Sequence, residues 1–282
     1  MSDFIKHKLW EIIGRNTSAA ESEWLQQKSN SAPLELMTEF VAAPRFLSKK
    51  IIQPSEEEKW ALNTEVPGFS VENWSLVRLS RVWLITQLDP SGKEEYVKNV
   101  ETLFDTAEMN ELVALYSALP LLSYPEQWLF RATDAVRSNM GFVFDAIALH
   151  NPYPEKHFSE LAWNQMVLKT IFNDKPIHLI DGLQNRANER LAITLSDFAH
   201  ERWAAGRSVP PQVWRLVGKF MTPTILADMQ YLFNSEHDGD RKAAALACSE
   251  SPLGNAKYLL AKYTDLEKSV KSGALTWAEL EN

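Results

Sequence analysis

The chain has 282 residues, with 29 Lys and Arg against 37 Asp and Glu, a formal net charge of −8, one Cys, 14 Pro and only 10 Gly. Average usage of roughly 7% would give about 20 glycines, and the shortfall disfavours glycine-rich folds such as most β-barrels and sandwiches, dinucleotide loops and phosphate loops. The acidic balance argues against a nucleic-acid partner, which needs a basic face. With 45% hydrophobic and 23% charged residues the composition is globular rather than disordered.

The single Cys248 excludes an intramolecular disulfide or a multi-cysteine zinc site and fits a reducing cytosol. It follows the run Ala243–Ala247, so a small buried residue is expected there rather than a nucleophile. The opening MSDFIKHKLWEIIGRN lacks the apolar stretch and small-residue cleavage site of a secretory signal, and no window approaches the length of a membrane span. A cytoplasmic protein without a transmembrane segment is expected. Phe4, Ile5, Leu9, Trp10, Ile12 and Ile13 opposite Lys6, His7 and Lys8 fit a first helix packed on the second, with a peripheral membrane contact as the alternative.

Apolar residues recur at three- and four-residue spacing, and strict alternation is nearly absent. A first helix is predicted near 3–14, ended by Gly14. A second starts after Thr17 or Ser18, with Glu21 at capping-box spacing. A third runs from Pro33 to Lys49 on a stripe of Leu36, Phe40, Phe46 and Leu47, kinked or divided at Pro44. Ser55 caps the next, with acids in its first turn. Ser70 is predicted to cap a long helix through Trp74, Val77, Leu79, Val82, Trp83 and Leu88, followed by helices at 96–104 and 108–119. Further helices are predicted at 126–139, 142–149, 157–173, 188–205, 211–218, 222–234, 238–250 and 254–264. Many short helices, joined by Pro- and Asp-marked turns, predict an all-α fold of stacked helix pairs, a HEAT-like α-solenoid, with a compact multi-helix bundle as the alternative. The expected division is an N-terminal helical region at 1–104, a repeat core at 105–265, and a C-terminal tail with a short helix at 266–282.

Polar residues in unexpected places concentrate in 139–215. Asp145 shares a helical face with Phe142, Ala146 and Leu149, and its carboxylate needs a partner, for which Arg131, Arg137, His150 and Lys169 are candidates. His150-Asn151-Pro152-Tyr153-Pro154 reads as a rigid corner or as a recognition loop. Asn164 and Gln165 share a face with Leu161, Leu168, Ile171 and Phe172, where unpaired amides would cost about 1–3 kcal/mol each. Trp163 and Lys169 lie on the same helix. In SDFAHERWAAGR, Asp197, His200 and Glu201 oppose the packing stripe Leu191, Leu195, Phe198 and Ala199, at a spacing that suits a shared proton, a metal or a surface ion-pair cluster. The chain has no Glu-x-x-His to complete a di-iron bundle, so a metal is not expected. Arg202, Arg207 and Arg215 accompany Trp203 and Trp214, as anion contacts or as stacked pairs. No nucleophile elbow, Walker sequence or His-Glu-x-x-His occurs.

The run from Asn139-Met140 to His150-Asn151-Pro152-Tyr153-Pro154, then Ala162-Trp163-Asn164-Gln165-Met166-Val167-Leu168-Lys169, SDFAHERWAAGR and Val213-Trp214-Arg215-Leu216-Val217-Gly218 resembles the EboA domain family, well over 105–262 and loosely before it. The resemblance implies a place in ebo clusters, beside a UbiA-like prenyltransferase, a TatD-like hydrolase, a dehydroquinate-synthase-like enzyme, and sugar-isomerase-like and phosphodiesterase-like proteins. It also implies a role in metabolite traffic, including export of scytonemin precursors in cyanobacteria. It implies other ebo-cluster proteins as partners, and it brings no catalytic residues or cofactor with it. The function expected first is a non-catalytic cytosolic scaffold or adaptor serving that traffic. The alternative is a metabolite-binding protein or enzyme with a polar pocket drawn from Asp145, His150, Asn164, Gln165, Lys169, Asp197, His200 and Arg202.

Overall fold

The computed structural model describes residues 3–281. Among them there are sixteen α-helices, several 3-10 turns and no strand beyond a single antiparallel bridge between Ile51 and Ser75. Two compact units divide the chain, Met1–Met166 and Val167–Asn282. The division falls inside a helix, whereas the sequence alone suggests a boundary at 104/105.

The first unit holds α1 (Asp3–Asn16), α2 (Ala19–Lys28), α3 (Pro33–Ala42), α4 (Glu56–Glu65), α5 (Leu76–Ile85), α6 (Lys93–Thr106), α7 (Met109–Ala118), α8 (Leu129–Arg137), α9 (Gly141–Ala148) and α10 (Tyr153–His157). The chain then enters α11 (Glu160–Phe172), within which the division lies. The predicted capping box at α2 is present, and the predicted Ser55 cap of α4 is also a box. Ser18 and Glu21 close the start of α2, and Ser55 and Glu58 that of α4, each side chain answering the other's backbone N–H. Glu21 also accepts the Ser48 backbone N–H at 2.7 Å, which ties the cap to the segment after α3. Pro44 sits in a 3-10 turn over 43–45 that ends α3, and Phe46, expected in the apolar stripe, is 51% exposed.

Two helix ends differ from their prediction. Gly14 lies inside α1; the end is made by Asn16, whose side-chain amide donates to the Ile12 carbonyl at 2.8 Å. Ser70 does not open α5. Asn73 takes φ 60°, a left-handed turn that breaks a helical path, and Ser75 caps α5 by accepting the Arg78 N–H. Leu76 N–H and the Trp74 carbonyl also pair with the strand-like segment 50–52.

Helix α5 is the interior element of this unit. Nine of its residues, from Leu76 to Ile85, are buried, as expected of a helix apolar on nearly all sides. Helices α3, α5, α7 and α9 form a continuous row, each packed on the next, and α1 covers α5 and α4. The apolar face of α1 (Ile5, Leu9, Ile12, Ile13) is spent on this packing, and Trp10 stacks on Trp83 with centroids 4.7 Å apart.

The second unit contains α12 (Glu189–Ala204), α13 (Pro223–Phe233), α14 (Asp238–Glu250), α15 (Gly254–Ala261) and α16 (Thr264–Lys271). The predicted helix at 211–218 is a pair of 3-10 turns. Helix α14 is the hub, touching α13, α15, α16 and both 3-10 turns. Every residue from Ala243 to Cys248 is buried, because only small side chains let so many neighbours close in. Gly218 marks the closest approach: a Cβ there would lie 2.8 Å from the Ala247 carbonyl oxygen. Burial pushes the Cys248 thiol up to about 12, so it is a packing residue. Trp203 stacks on the fully buried Trp214 with centroids 5.7 Å apart.

Candidate functional site

The first unit carries an open cavity of about 620 Å³, within the ~300–1,000 Å³ range of small-molecule sites. It lies where α5, α7 and α9 begin. Val77, Arg78 and Arg81 come from α5, Glu108, Asn110 and Val113 from the start of α7, and Phe142 from the first turn of α9; Lys49 and Ile51 come from the segment bridged to Ser75. One wall is apolar, and three cations face one carboxylate.

The cations are not equivalent. Arg81 is 2% exposed and fully committed: Nε donates to the Phe40 carbonyl at 2.9 Å, and Nη2 lies 3.0 Å from Glu111 Oε1. Arg78 is held differently. Its Nε donates to Ser117 Oγ at 2.9 Å, and its guanidinium lies over the Trp74 ring at 4.1 Å. Among the described residues, no acceptor takes a hydrogen bond from its Nη1 or Nη2. Burial pulls this guanidinium down to about 9, and the Asp145 carboxylate pushes the other way. A cation lifted out of water, oriented by stacking and left with an open edge, has the form of an anion contact.

Of the residues read from the sequence, Asp145 bears on this cavity, since Arg78 feels its charge. Arg131 pairs with Glu101 and Asp105, and Arg137 with Asp134. Asn139 is exposed between α8 and α9. His150 follows α9 with φ 51°, the left-handed position that closes a helix end. Asn151 is buried; its amide donates to the carbonyls of Tyr116 and Ala146 at 3.0 and 2.8 Å, and its oxygen accepts the Tyr153 N–H at 3.0 Å. These bonds hold the corner rigid. On α11 the buried side is set by Trp163, Met166, Val167 and Thr170, with Asn164 also buried. Gln165 is exposed and Leu161 is 57% exposed, which corrects the expected shared face: the helix is turned so that the aromatic Trp163 is interior.

Lys169, Asp197, His200, Glu201, Arg202, Arg207, Trp214 and Arg215 belong to the second unit. Burial lowers the Lys169 amine. His200 does not pair with Asp197 or Glu201 on its own helix; its Nε2 lies 2.6 Å from Oδ1 of the buried Asp228 on α13, and Ser196 Oγ donates to the other oxygen at 2.5 Å. Asp197 and Glu201 face solvent. Arg202 donates to the Ser208 carbonyl and lies over Phe198, and Arg215 bonds Gln212 and Glu281. Arg207 lines a second cleft beside Trp203 and Tyr231, together with Glu236 and Asp240. Among the described residues, no three His, Cys, Asp or Glu side chains gather as metal ligands, and no helix is long and apolar enough to cross a membrane.

Arg78 escaped the sequence reading because, Trp74 apart, what holds it is distant in the chain: Ser117 is 39 residues away. The local signs are Trp74 four residues before it and a second arginine, Arg81, three residues after it, in a helix otherwise apolar but for Ser80.

Residues 5–218 match the family model for the metabolite traffic protein EboA. The chain belongs to the EboA family. The match starts in α1, so the N-terminal helices share the family relationship that the sequence suggested only loosely, and it stops at Gly218 rather than near 262. The EboA description names metabolite traffic as the family's field of action. No curated protein and no solved structure matches the chain. Every residue lining the Arg78 cavity, from Pro44 to Phe142, lies within the EboA-matched stretch.

Proposed function

We propose that this EboA protein acts in metabolite traffic by binding a small molecule non-covalently in the cavity of its first unit, as a cytoplasmic holder rather than a catalyst. The observation that carries this reading is Arg78, fixed by Ser117 and Trp74 with its outer guanidinium edge unused beside a cavity of small-molecule size. Non-covalent holding also accords with other polar groups that are spent: Arg81 in the cavity wall, and Asn151 and Asp228 outside it, all bond to the protein itself.

The test is native mass spectrometry of the protein isolated gently from its own host. The expected result is a stoichiometric organic adduct, recovered intact after denaturation and lost when Val113→Trp fills the cavity. The bare protein mass alone, or an adduct that Val113→Trp leaves in place, overturns the reading.

A second reading makes the first unit a HEAT-like stack on which other ebo-encoded proteins dock. It is supported by the row α3–α5–α7–α9 and by Trp60 and Phe130, which are 69% and 71% exposed. Co-purification of an ebo-encoded enzyme, abolished by Trp60→Lys or Phe130→Lys, is the expected result; recovery of the protein alone would refute it.

A further inference from the structure

We propose that the cavity is built for an amphiphilic organic monoanion, with a carboxylate or sulfonate on Arg78 and a hydrophobic body against Ile51, Val77, Val113 and Phe142. This rests on the binding reading above and adds the ligand's chemistry to it.

The head group follows from the shape of the arginine. The guanidinium lies 4.1 Å over the Trp74 ring and its Nε–H is taken by Ser117, which leaves the two outer nitrogens of the planar group as a fork. Such a fork matches two oxygens of one planar or tetrahedral head, which a lysine would hold only as a point charge. Desolvation of Arg78 makes the cation more demanding of a counter-ion.

The single charge follows from the surroundings. Arg81 is already balanced by Glu111, with Glu108 at 3.8 Å, so it adds little net field. Glu108 lines the cavity, and the Asp145 carboxylate acts electrostatically on Arg78. These carboxylates repel a dianion such as phosphate, while the exposed Lys49 at the rim supports one negative charge. The hydrophobic body follows from the far wall. Phe142 is 67% exposed in the first turn of α9, an aromatic face left to solvent at the edge of the cavity. Covering it together with Ile51, 50% exposed, and the half-buried Val113 removes apolar surface from water, which is the main source of affinity in such sites.

The experiment uses the full chain and two naphthalene dyes of similar size, anionic 8-anilinonaphthalene-1-sulfonate and neutral N-phenyl-1-naphthylamine, read by fluorescence. Both should bind the native protein. Arg78→Gln should weaken the anionic dye by about tenfold and the neutral one by less than about twofold, with Arg78→Lys in between for the anion. Rising salt in the unaltered protein should weaken only the anionic dye, a readout independent of any variant's folding. Inorganic phosphate should not displace the anionic dye. Val113→Trp and the surface change Asn110→Trp should each weaken both dyes.

If the two tryptophan variants block both dyes but Arg78→Gln and salt do not separate them, the anion class is overturned and the binding reading stands. Efficient displacement by phosphate overturns the class in the same way. If neither tryptophan variant affects either dye, the cavity is not the site and both readings fall.

Discussion

The Arg81–Glu111 pair offers the sharpest test of how the first unit is held together. Arg81 and Glu111 are 2% and 5% exposed, with 3.0 Å between Nη2 and Oε1. With an effective dielectric of about 20, charges at that distance attract by roughly 5 kcal/mol. Burial opposes this, and it lowers the Arg81 guanidinium against the pull of Glu111 and Glu108. Glu111→Leu therefore leaves a buried cation whose remaining carboxylate, Glu108, is 3.8 Å away and largely solvated. It also removes the acceptor of the Glu108 N–H that closes the start of α7. Breaking a buried pair from one side costs about 3–5 kcal/mol, and the nearby Glu108 places the expected loss near the lower end.

The double change Arg81→Met with Glu111→Leu removes both charges and keeps the volume. Its remaining cost is the unpaired carbonyls of Phe40 and Val41, about 1–2 kcal/mol together, with the lost Glu108 N–H acceptor common to it and to Glu111→Leu. Urea unfolding followed by tryptophan fluorescence should thus find the double variant more stable than Glu111→Leu alone. A Glu111→Leu loss below about 1 kcal/mol, or a double variant as weak as the two single losses added, would refute the reasoning.

Two further expectations concern particular residues. Burial alone would raise the Glu21 carboxyl, but the N–H groups of Ser18 and Ser48 outweigh it and hold it down to about 2, so its stabilising share is complete above the ordinary value of 4.5 and is lost as pH falls from 4.5 towards 2. Because the site is partly exposed, Glu21→Gln should cost about 1 kcal/mol near pH 7, and thermal melts of the two proteins should converge by pH 2. Gly218→Ala should cost about 1–3 kcal/mol, since its methyl group would press on the Ala247 carbonyl, whereas Gly14→Ala, with nothing within 4 Å of the new methyl, should be neutral or stabilising by up to about 1 kcal/mol in the same melts.

Local features were legible in the sequence. The Ser18–Glu21 and Ser55–Glu58 boxes depend on residues three apart, and the small-residue run at 243–248 announces a crowded helix. Features governed by distant partners were not. The sequence alone points to Ser70 as the cap of α5, but the bridge between Ile51 and Ser75 and the left-handed Asn73 move the start of the helix to Ser75. His200 has carboxylates at tempting positions on its own helix, yet it binds Asp228, 28 residues on, because the packing of α12 on α13 brings that acid to it. For α11, both faces carry apolar residues, so periodicity alone did not reveal that Trp163 rather than Gln165 lies inside. The Arg78 cavity is the extreme case, since its walls come from segments spread over almost a hundred residues of chain.

The two stacked tryptophan pairs give the chain a pair of optical labels. Trp10 and Trp83 belong to the first unit, Trp203 and Trp214 to the second. Indoles this close couple their excited states, so each pair should add a couplet of its own to ultraviolet circular dichroism. Trp83→Phe silences one couplet and spares the other, and the melting of each half of the molecule can then be followed in its native colours without attaching a dye.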